Sequence, residues 1–149
     1  LGALLRAEGR PVEAEPLLRE ALEMERRMNP GVPEGWKVGS YLNNLAEVLE
    51  DQGDIAGAEK MFTESIGILM PGLGPDHSRV GIARTSHGRV LGKLGRYAEG
   101  EKELIEGLRV LEKSAGPSND STTGARKDLV TLYEKWGRPD RAEQVRRES

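Results

Sequence analysis

The chain has 149 residues, a formal net charge of −3 at pH 7, 36% hydrophobic residues and no cysteine. The lack of cysteine excludes disulfide bonds and cysteine-ligated metals, and the slightly acidic balance leaves no basic excess that would attract nucleic acid. No apolar run approaches the roughly 20 residues needed to cross a bilayer, and no signal-peptide core stands at the start. We therefore predict a cytoplasmic protein that binds neither nucleic acid nor membranes.

The pattern of the chain predicts an array of four helical hairpins, and the first of them is incomplete. Residues 1–8 match only the second half of a helix, which ends at Gly9, so we expect that the array is cut here and that further sequence precedes it. Pro11 begins the next helix, where its missing amide costs nothing, and that helix is predicted to extend to about Met28. The apolar face of the cut helix would be exposed to water, which predicts concentration-dependent dimerisation through Leu1, Leu4 and Leu5.

The second hairpin has the clearest pattern. A proline- and glycine-rich loop over residues 29–35 precedes it, and Trp36 is predicted to be a hydrophobic plug between repeats. The apolar face of its first helix is formed at helical spacing by Leu42, Leu45, Ala46 and Leu49. Gly53 supplies the positive φ of a C-terminal cap, and Asp54 can accept hydrogen bonds from the free amides of the next helix. That second helix restores an apolar stripe with Ala58, Met61, Phe62 and Ile66.

Two further hairpins follow. The third is predicted to begin at a cap formed by Asp76 or Ser78 and to turn at Gly95. The fourth follows a loop rich in capping side chains and turns at Gly137. Its last helix, residues 140–149, is short and strongly polar, as the terminal repeat of a solenoid requires, so we expect the array to end here.

The four predicted turns recur at a nearly constant spacing. Their glycines are separated by 44, 42 and 42 residues: Gly9, Gly53, Gly95 and Gly137. Five residues beyond each glycine stands a small residue, at which two helix backbones must approach closely: Ala14, Ala58, Gly100 and Ala142. The period predicts a single array over residues 1–149, with a truncated repeat 1–36, complete repeats 37–77 and 78–118, and a fourth repeat with the C-terminal cap, 119–149.

The second hairpin resembles the tetratricopeptide repeat. The signature of that family matches Leu42-x2-Leu45-Ala46-x2-Leu49, followed by Ala58-x3-Phe62 and Pro71. The 42-residue period, Asn43-Asn44-Leu45-Ala46 and Gly74-Pro75-Asp76-His77 are similar to the kinesin light chain type, which many bacterial proteins share. The resemblance implies an all-α fold, a right-handed helical solenoid of antiparallel helix pairs. It also implies a protein–protein interaction module that binds a peptide or partner helix in its concave groove.

The closing segment supports a second interpretation. Residues 128–140 resemble the end of tetratricopeptide arrays attached to bacterial signalling proteins, Ser/Thr kinases among them. This resemblance implies a C-terminal regulatory or self-association array of a larger protein. The sequence upstream of Leu1 would distinguish the two interpretations.

The third repeat departs from the family pattern. His87 stands where the motif has leucine, and Gly100 and Gly107 stand where alanine is usual. An interior glycine costs a helix about 1 kcal/mol relative to alanine. We therefore expect the third repeat to be the loosest.

The resemblance places a bound peptide on the concave surface lined by the first helix of each hairpin. Once packing positions are removed, helical geometry predicts the groove positions: Ser40, Asn43, Asn44, Glu47, Glu50 and Asp51 in the second repeat, Ile82, Thr85, Ser86, Arg89 and Lys93 in the third, and Lys127, Thr131 and Glu134 in the fourth. Asn43 and Asn44 are the strongest candidates, because an amide can both donate to and accept from a peptide backbone. Alternatively, one asparagine pairs only with a neighbouring helix. Arg89 lies one repeat above Glu47 and would either bridge to it or divide the groove into basic and acidic halves.

The two histidines do not form a catalytic or metal-binding constellation. They lack HExxH spacing, and no carboxylate cluster at ligand geometry accompanies them. His77 is predicted to be a cap or an inter-repeat hydrogen bonder, and His87 to lie in the core. The carboxylate clamp of chaperone-binding repeats is disfavoured because Ile82 and Ser86 replace its cations. We predict no enzymatic activity and no cofactor.

Overall fold

The computed structural model describes residues 11–28, 30 and 35–148. These residues form seven α-helices and no strand, which confirms the all-α prediction: α1 (Pro11–Met28), α2 (Trp36–Asp51), α3 (Ile55–Leu73), α4 (Ser78–Lys93), α5 (Tyr97–Ser114), α6 (Asp120–Lys135) and α7 (Pro139–Arg147). None of these helices is long and apolar enough to cross a membrane. The cut helix predicted over residues 1–8 and its dimerisation face lie outside the described residues. The chain divides into two compact units.

Unit 1 (Leu1–Gly74) is built around α2, which packs against both α1 and α3. Phe62 of α3 is fully buried, and a buried cluster joins the helices through Leu22, Val38 and Leu42. Asp54 caps α3 as predicted, because its Oδ1 accepts a hydrogen bond from the Gly57 amide at 3.0 Å. Trp36 keeps 41% of its surface exposed, so it is not a buried plug.

The turns between paired helices share one geometry. The turn glycines have positive φ, +87° at Gly53, +78° at Gly95 and +74° at Gly137, a region that other residues rarely adopt. The amide after each glycine donates to the carbonyl five residues back, at 2.8 to 2.9 Å, and the glycine amide donates to the carbonyl three residues back. This pair of bonds is the Schellman motif. The prediction is confirmed at these three glycines, and Gly9 lies outside the described residues.

Unit 2 (Pro75–Ser149) packs α6 against α4, α5 and α7. Its core is formed by Leu104, Leu129, Leu132, Tyr133 and Ala142. The Trp136 ring stacks on Tyr97 and Tyr133, with ring centroids 5.9 and 6.4 Å apart. The Arg138 guanidinium covers the same indole at 4.1 Å, so this aromatic stack joins the last hairpin to the start of α5.

The helix starts of unit 2 differ in part from the prediction. His77 caps α4, because its Nδ1 accepts a hydrogen bond at 3.1 Å from the backbone amide two residues later. The predicted cap at Asp76 or Ser78 is therefore wrong, and Asp76 instead accepts from the Arg109 guanidinium at 2.9 Å. The structural role predicted for His77 is confirmed. Asn119 caps α6 from the predicted loop, accepting from the amide two residues later at 2.9 Å.

Paired glycines bring α4 and α5 into close contact. A Cβ atom added at Gly107 would lie 2.9 Å from the Gly81 carbonyl oxygen, and one added at Gly100 would lie 2.9 Å from the Gly88 carbonyl oxygen. Real Cβ atoms essentially never come this close to backbone. The prediction that glycine makes this repeat the loosest is therefore wrong, because glycine here permits backbone-to-backbone packing that a side chain would block.

The preceding hairpin, α2 and α3, has larger residues at three of the four equivalent repeat positions. Gly39 and Ser65 stand where the later hairpin has its 81–107 pair, and the Ser65 hydroxyl donates to the Gly39 carbonyl at 2.6 Å. Ala46 and Ala58, both fully buried, stand where the later hairpin has its 88–100 pair. The two hairpins thus pack the same positions differently: unit 1 has small side chains at three of the four positions, whereas unit 2 has glycine at all four.

Thr122 of α6 is fully buried, and its hydroxyl has no hydrogen-bond partner among the described residues. The two preceding repeats have buried valines here, Val38 and Val80. Valine keeps the shape of threonine and removes the unpaired polar group, so Thr122→Val is expected to raise the free energy of unfolding by about 1 to 2 kcal/mol. Urea denaturation followed by circular dichroism measures the change.

Thr123→Val is the matched control for this prediction. The Thr123 hydroxyl donates to the Asp120 carbonyl at 3.1 Å, so valine at this position removes a bond and should not stabilise. A loss of stability in Thr122→Val would contradict the prediction and would mean that the buried hydroxyl is satisfied.

Candidate functional site

In unit 1 the predicted binding residues lie along α2. Most of them are partly or fully exposed: Ser40, Asn43, Asn44, Glu47 and Asp51. Glu50 has only 8% of its surface exposed, so it is a packing residue and not a surface position. The Oδ1 of Asn43 is buried and has no hydrogen-bond partner in the described part of the chain, so hydrogen-bonding capacity of this amide is unused.

In unit 2 the surface prediction is wrong at two positions of α4. Thr85 and Ser86 have only 6% and 3% of their surface exposed. The Thr85 hydroxyl donates to the Ile82 carbonyl at 2.9 Å, and its methyl group occupies the space beside Gly107 of α5. Thr85 therefore packs between helices because α5 lies so close to α4. The other predicted residues of α4 keep exposed surface: Ile82, Arg89 and Lys93.

The first helices of the two hairpins in unit 2, α4 and α6, line a shallow pocket of about 100 Å³. This α4–α6 pocket brings together Arg89, Lys93 and Thr131, which the sequence predicts, with Asp128 and Lys135. The Arg89 guanidinium pairs with the Asp128 carboxylate at 3.3 Å, so one repeat is joined to the next across the pocket. The ammonium groups of Lys93 and Lys135 give the pocket a positive charge.

The sequence prediction does not include Asp128 and Lys135, although the repeat period carried the signal. Lys135 stands one 42-residue period after Lys93, and Asp128 stands one period after Ser86. Transferring the third-repeat positions directly onto the fourth would have found both residues.

A second pocket, of about 580 Å³, lies between α6 and α7. The sequence predicts three of its lining residues: Lys127, Thr131 and Glu134. Arg146 of α7 also lines it, and its guanidinium donates to the Glu134 carboxylate. Because Thr131 lines both pockets, they adjoin along the exposed face of α6.

Both histidines have structural partners. His77 caps α4, and the Nδ1 of His87 lies 3.3 Å from one carboxylate oxygen of Glu103 in α5. The other oxygen of Glu103 accepts from Arg84 at 3.2 Å, so one carboxylate holds two side chains of α4. His87 is thus a polar residue of the α4–α5 packing, with 14% of its side chain exposed. The described residues contain no group of three metal-ligating side chains.

Tyr133, at the centre of the unit 2 core, has a perturbed acidity. Burial, and then the hydrogen bond that its hydroxyl donates to Glu101, raise the pKa of Tyr133 to about 12. The unfolded chain has a tyrosine pKa of about 10, so it releases this proton first as the pH rises. We therefore expect the free energy of unfolding to fall between pH 10 and pH 12, by up to about 2 kcal/mol from this group.

The Tyr133→Phe variant isolates this contribution, because every other ionisable group is the same in both proteins. Urea midpoints measured from pH 9 to pH 12 should fall less steeply in the variant than in the wild type. Parallel curves would contradict the raised pKa.

The comparisons with known proteins agree with the repeat geometry. A tetratricopeptide repeat family model matches residues 38–78, and another tetratricopeptide repeat model matches residues 1–20. No curated protein matches the chain in sequence.

The fold is similar to that of solved repeat proteins. BtubC (BKLC) from P. vanneervenii aligns over 100% of this chain with a TM-score of 0.76 and 19% identity, and this chain spans 61% of BtubC. A kinesin light chain candidate from Podosopora anserina, with nearly identical TPR-like repeats, aligns over 97% of this chain with a TM-score of 0.77 and 16% identity. A point variant of that Podosopora anserina protein aligns over 99% of this chain at 17% identity, also with a TM-score of 0.77. This chain spans 72% and 69% of those two chains.

Proposed function

Because this chain is a tetratricopeptide repeat protein with the fold of kinesin light chain-like repeats, we propose that it is a protein-binding module whose first helices hold a peptide or partner helix. Repeats of this kind mediate protein–protein interaction through extended surfaces built from successive units. The observation that carries the proposal is the α4–α6 pocket, where Arg89 and Lys93 of one repeat meet Thr131 of the next.

The chemistry of the α4–α6 pocket favours an acidic segment of the partner. Arg89 is held by Asp128, while Lys93 and Lys135 bring cationic groups to the same pocket. A carboxylate side chain of a bound peptide would form charge-assisted hydrogen bonds with these ammonium groups. The Thr131 hydroxyl can donate to or accept from the peptide backbone beside them.

The α2 surface of unit 1 has a different chemistry. Asn43 and Asn44 present amides, and Glu47 and Asp51 on the same helix are acidic. An amide binds a peptide backbone without reading its side chains, and both asparagines keep partly exposed surface for that role. We therefore propose that α2 binds backbone or basic side chains, whereas α4 and α6 bind acidic ones.

A peptide selection tests this proposal. Random 12-residue peptides displayed on phage would be selected on the wild-type chain, and the dissociation constants of the enriched peptides would be measured by fluorescence anisotropy. The double variant Lys93→Glu/Lys135→Glu should raise the dissociation constants of acidic peptides at least tenfold. The double variant Asn43→Ala/Asn44→Ala should raise the dissociation constants of peptides that bind α2.

Second-helix lysines provide the matched controls. Lys60 of α3 and Lys102 of α5 are exposed and lie outside both surfaces, so Lys60→Glu/Lys102→Glu should leave affinity within about twofold. If the first-helix variants bind every enriched peptide as tightly as this control does, the first helices are not the binding surface and the proposal fails.

A further inference from the structure

A third pocket lies among the second helices of unit 2 and shares no residue with the α4–α6 pocket. This α5–α7 groove has a volume of about 560 Å³, within the range of sites that accept ligand groups. Its apolar lining is formed by Ile105, Leu108, Leu129, Tyr133 and Val145. Ile105 has 49% of its surface exposed, so it adds an accessible aliphatic side chain to this apolar lining.

Unit 1 has a different pair of charges at the same helix positions. Aligning the starts of α1 and α5, and those of α3 and α7, places Arg26 at the position of Glu112 and Glu64 at the position of Glu148. In unit 1 the Arg26 guanidinium pairs with the Glu64 carboxylate at 3.3 Å and joins α1 to α3. In unit 2 both positions are acidic, so these two side chains cannot form an ion pair, and α5 is joined to α7 elsewhere in the groove, by Arg141 and Glu101.

The wall of the groove differs in the same direction. Arg19 of α1 corresponds to Ile105 of α5, so unit 1 has a charged side chain where unit 2 has an exposed apolar one. Unit 2 therefore has an apolar side chain where unit 1 has an arginine, and two carboxylates where unit 1 has an ion pair. Both differences leave apolar surface and negative charge on the wall of the α5–α7 groove.

The cations around the groove are already engaged. Arg126 donates to Glu112 at 2.8 Å, and Arg141 pairs with Glu101 at 2.9 Å. Arg109 donates to Glu106 and Asp76, and its guanidinium holds the pKa of both carboxyls below their usual range.

Glu148 differs from the other carboxylates of the groove. Among the described residues it accepts a hydrogen bond from the neutral Gln144 amide and is paired with no cation. A ligand that complements this end of the groove must therefore carry a positive charge.

We propose that the α5–α7 groove binds a basic amphipathic helix of a partner protein, with an apolar side chain against Ile105 and a Lys or Arg beside Glu148. A helix presents an apolar and a basic side chain along one face when the two stand three or four residues apart. The cation would supply in trans the charge that Arg26 supplies within unit 1. This site lies on different residues of α6 from the α4–α6 pocket, so it is independent of the function proposed above.

Two variants that copy the chemistry of unit 1 test the site. Glu148→Arg places a cation opposite Glu112 and so restores an ion pair across the groove, and Ile105→Arg introduces the residue that unit 1 has at this wall. Both residues are exposed, and circular dichroism would verify that each variant is folded. Glu20→Arg, at an exposed position of α1, is the control for the charge reversal.

The probe is a phage-displayed library of 16-residue helix-forming peptides, selected on the wild-type chain and depleted on Glu148→Arg. We expect enriched peptides to have an apolar residue three or four positions from Lys or Arg. Each groove variant should raise their dissociation constants at least tenfold, while Glu20→Arg and Lys93→Glu/Lys135→Glu should change them less than about twofold.

Three results would overturn the proposal. They are a selection without enrichment, enriched peptides that lack a cation, and peptides whose binding depends on Lys93 and Lys135 instead of Glu148. Light scattering tests whether a second copy of this chain occupies the groove instead. If the wild type dimerises and Glu148→Arg is monomeric, a second copy of this chain fills the groove, and the assignment to a partner protein is wrong.

Discussion

Gly107→Ala is expected to lower the free energy of unfolding of unit 2 by about 1 to 2 kcal/mol, although alanine is the better helix former. The added Cβ would lie 2.6 Å from the Thr85 methyl carbon, 2.9 Å from the Gly81 carbonyl oxygen and 3.0 Å from the Thr85 amide nitrogen. Two of these atoms are backbone, so α4 and α5 must separate. Overpacking of this kind costs about 1 to 3 kcal/mol, occasionally more, which exceeds the roughly 1 kcal/mol gained in helix propensity.

Gly67→Ala is the matched control. Gly67 is also in a helix interior, in α3, but a Cβ added there meets nothing within 4 Å. Alanine should therefore stabilise by up to about 1 kcal/mol. Urea denaturation of Gly107→Ala would be followed by the fluorescence of Trp136, which lies in unit 2, in a Trp36→Phe background. That of Gly67→Ala would be followed by the fluorescence of Trp36, which lies in unit 1, in a Trp136→Phe background. Equal stabilisation by the two alanines would show that the α4–α5 backbones are not in close contact.

Phe62→Ala is expected to lower the free energy of unfolding of unit 1 by about 3 to 5 kcal/mol. Phe62 is the only phenylalanine of the chain and is completely buried in α3. Truncation removes the apolar contacts of the ring and leaves a cavity that neighbouring helices fill only partly, and the two effects add. Trp36 fluorescence, in a Trp136→Phe background, reports the unfolding of this unit.

The repeat period provides the control for Phe62. Leu104 occupies the same position in the next hairpin and is also completely buried. Phe62→Leu therefore introduces a residue that this packing position accepts, and it should cost no more than about 1.5 kcal/mol. A Phe62→Leu variant as unstable as Phe62→Ala would mean that the ring makes a contact that no aliphatic residue replaces.

Features set by local chemistry could be predicted from the sequence. A glycine after the last helical turn and an aspartate before the next helix act within a few residues, so the turns at Gly53 and Gly95 and the cap at Asp54 follow from neighbouring residues alone. The small residues at Ala58 and Gly100 follow equally well, because each marks a fixed step of the repeat.

Features set by the distance between helices could not be predicted in this way. Helical geometry predicts that Thr85 faces the exposed side of α4, yet Thr85 is buried because Gly107 allows α5 to approach α4 closely. The same cause reverses the expected effect of the interior glycines. From local sequence, Asp76 is as good a capping residue as His77. Its carboxylate is engaged instead by the guanidinium of Arg109, which lies on another helix.

The candidate surface shows the same division. Periodicity indicates which residues of α4 and α6 face one side, and the pocket formed by Arg89, Lys93 and Thr131 agrees with it. The α5–α7 groove has no signature in one repeat alone. It is recognised only when Arg26 is compared with Glu112 across repeats, because unit 1 has an ion pair at positions where unit 2 has two carboxylates.

The Schellman turns also bear on how the chain folds. Each reverses the chain with hydrogen bonds that span only three and five residues, so the loop-closure entropy of starting a hairpin is small. Helix pairs joined in this way can associate before distant parts of the chain meet. Topologies dominated by such local contacts fold in microseconds to milliseconds. Nascent hairpins would therefore shield their apolar faces early, limiting the time during which a partly synthesised array can aggregate.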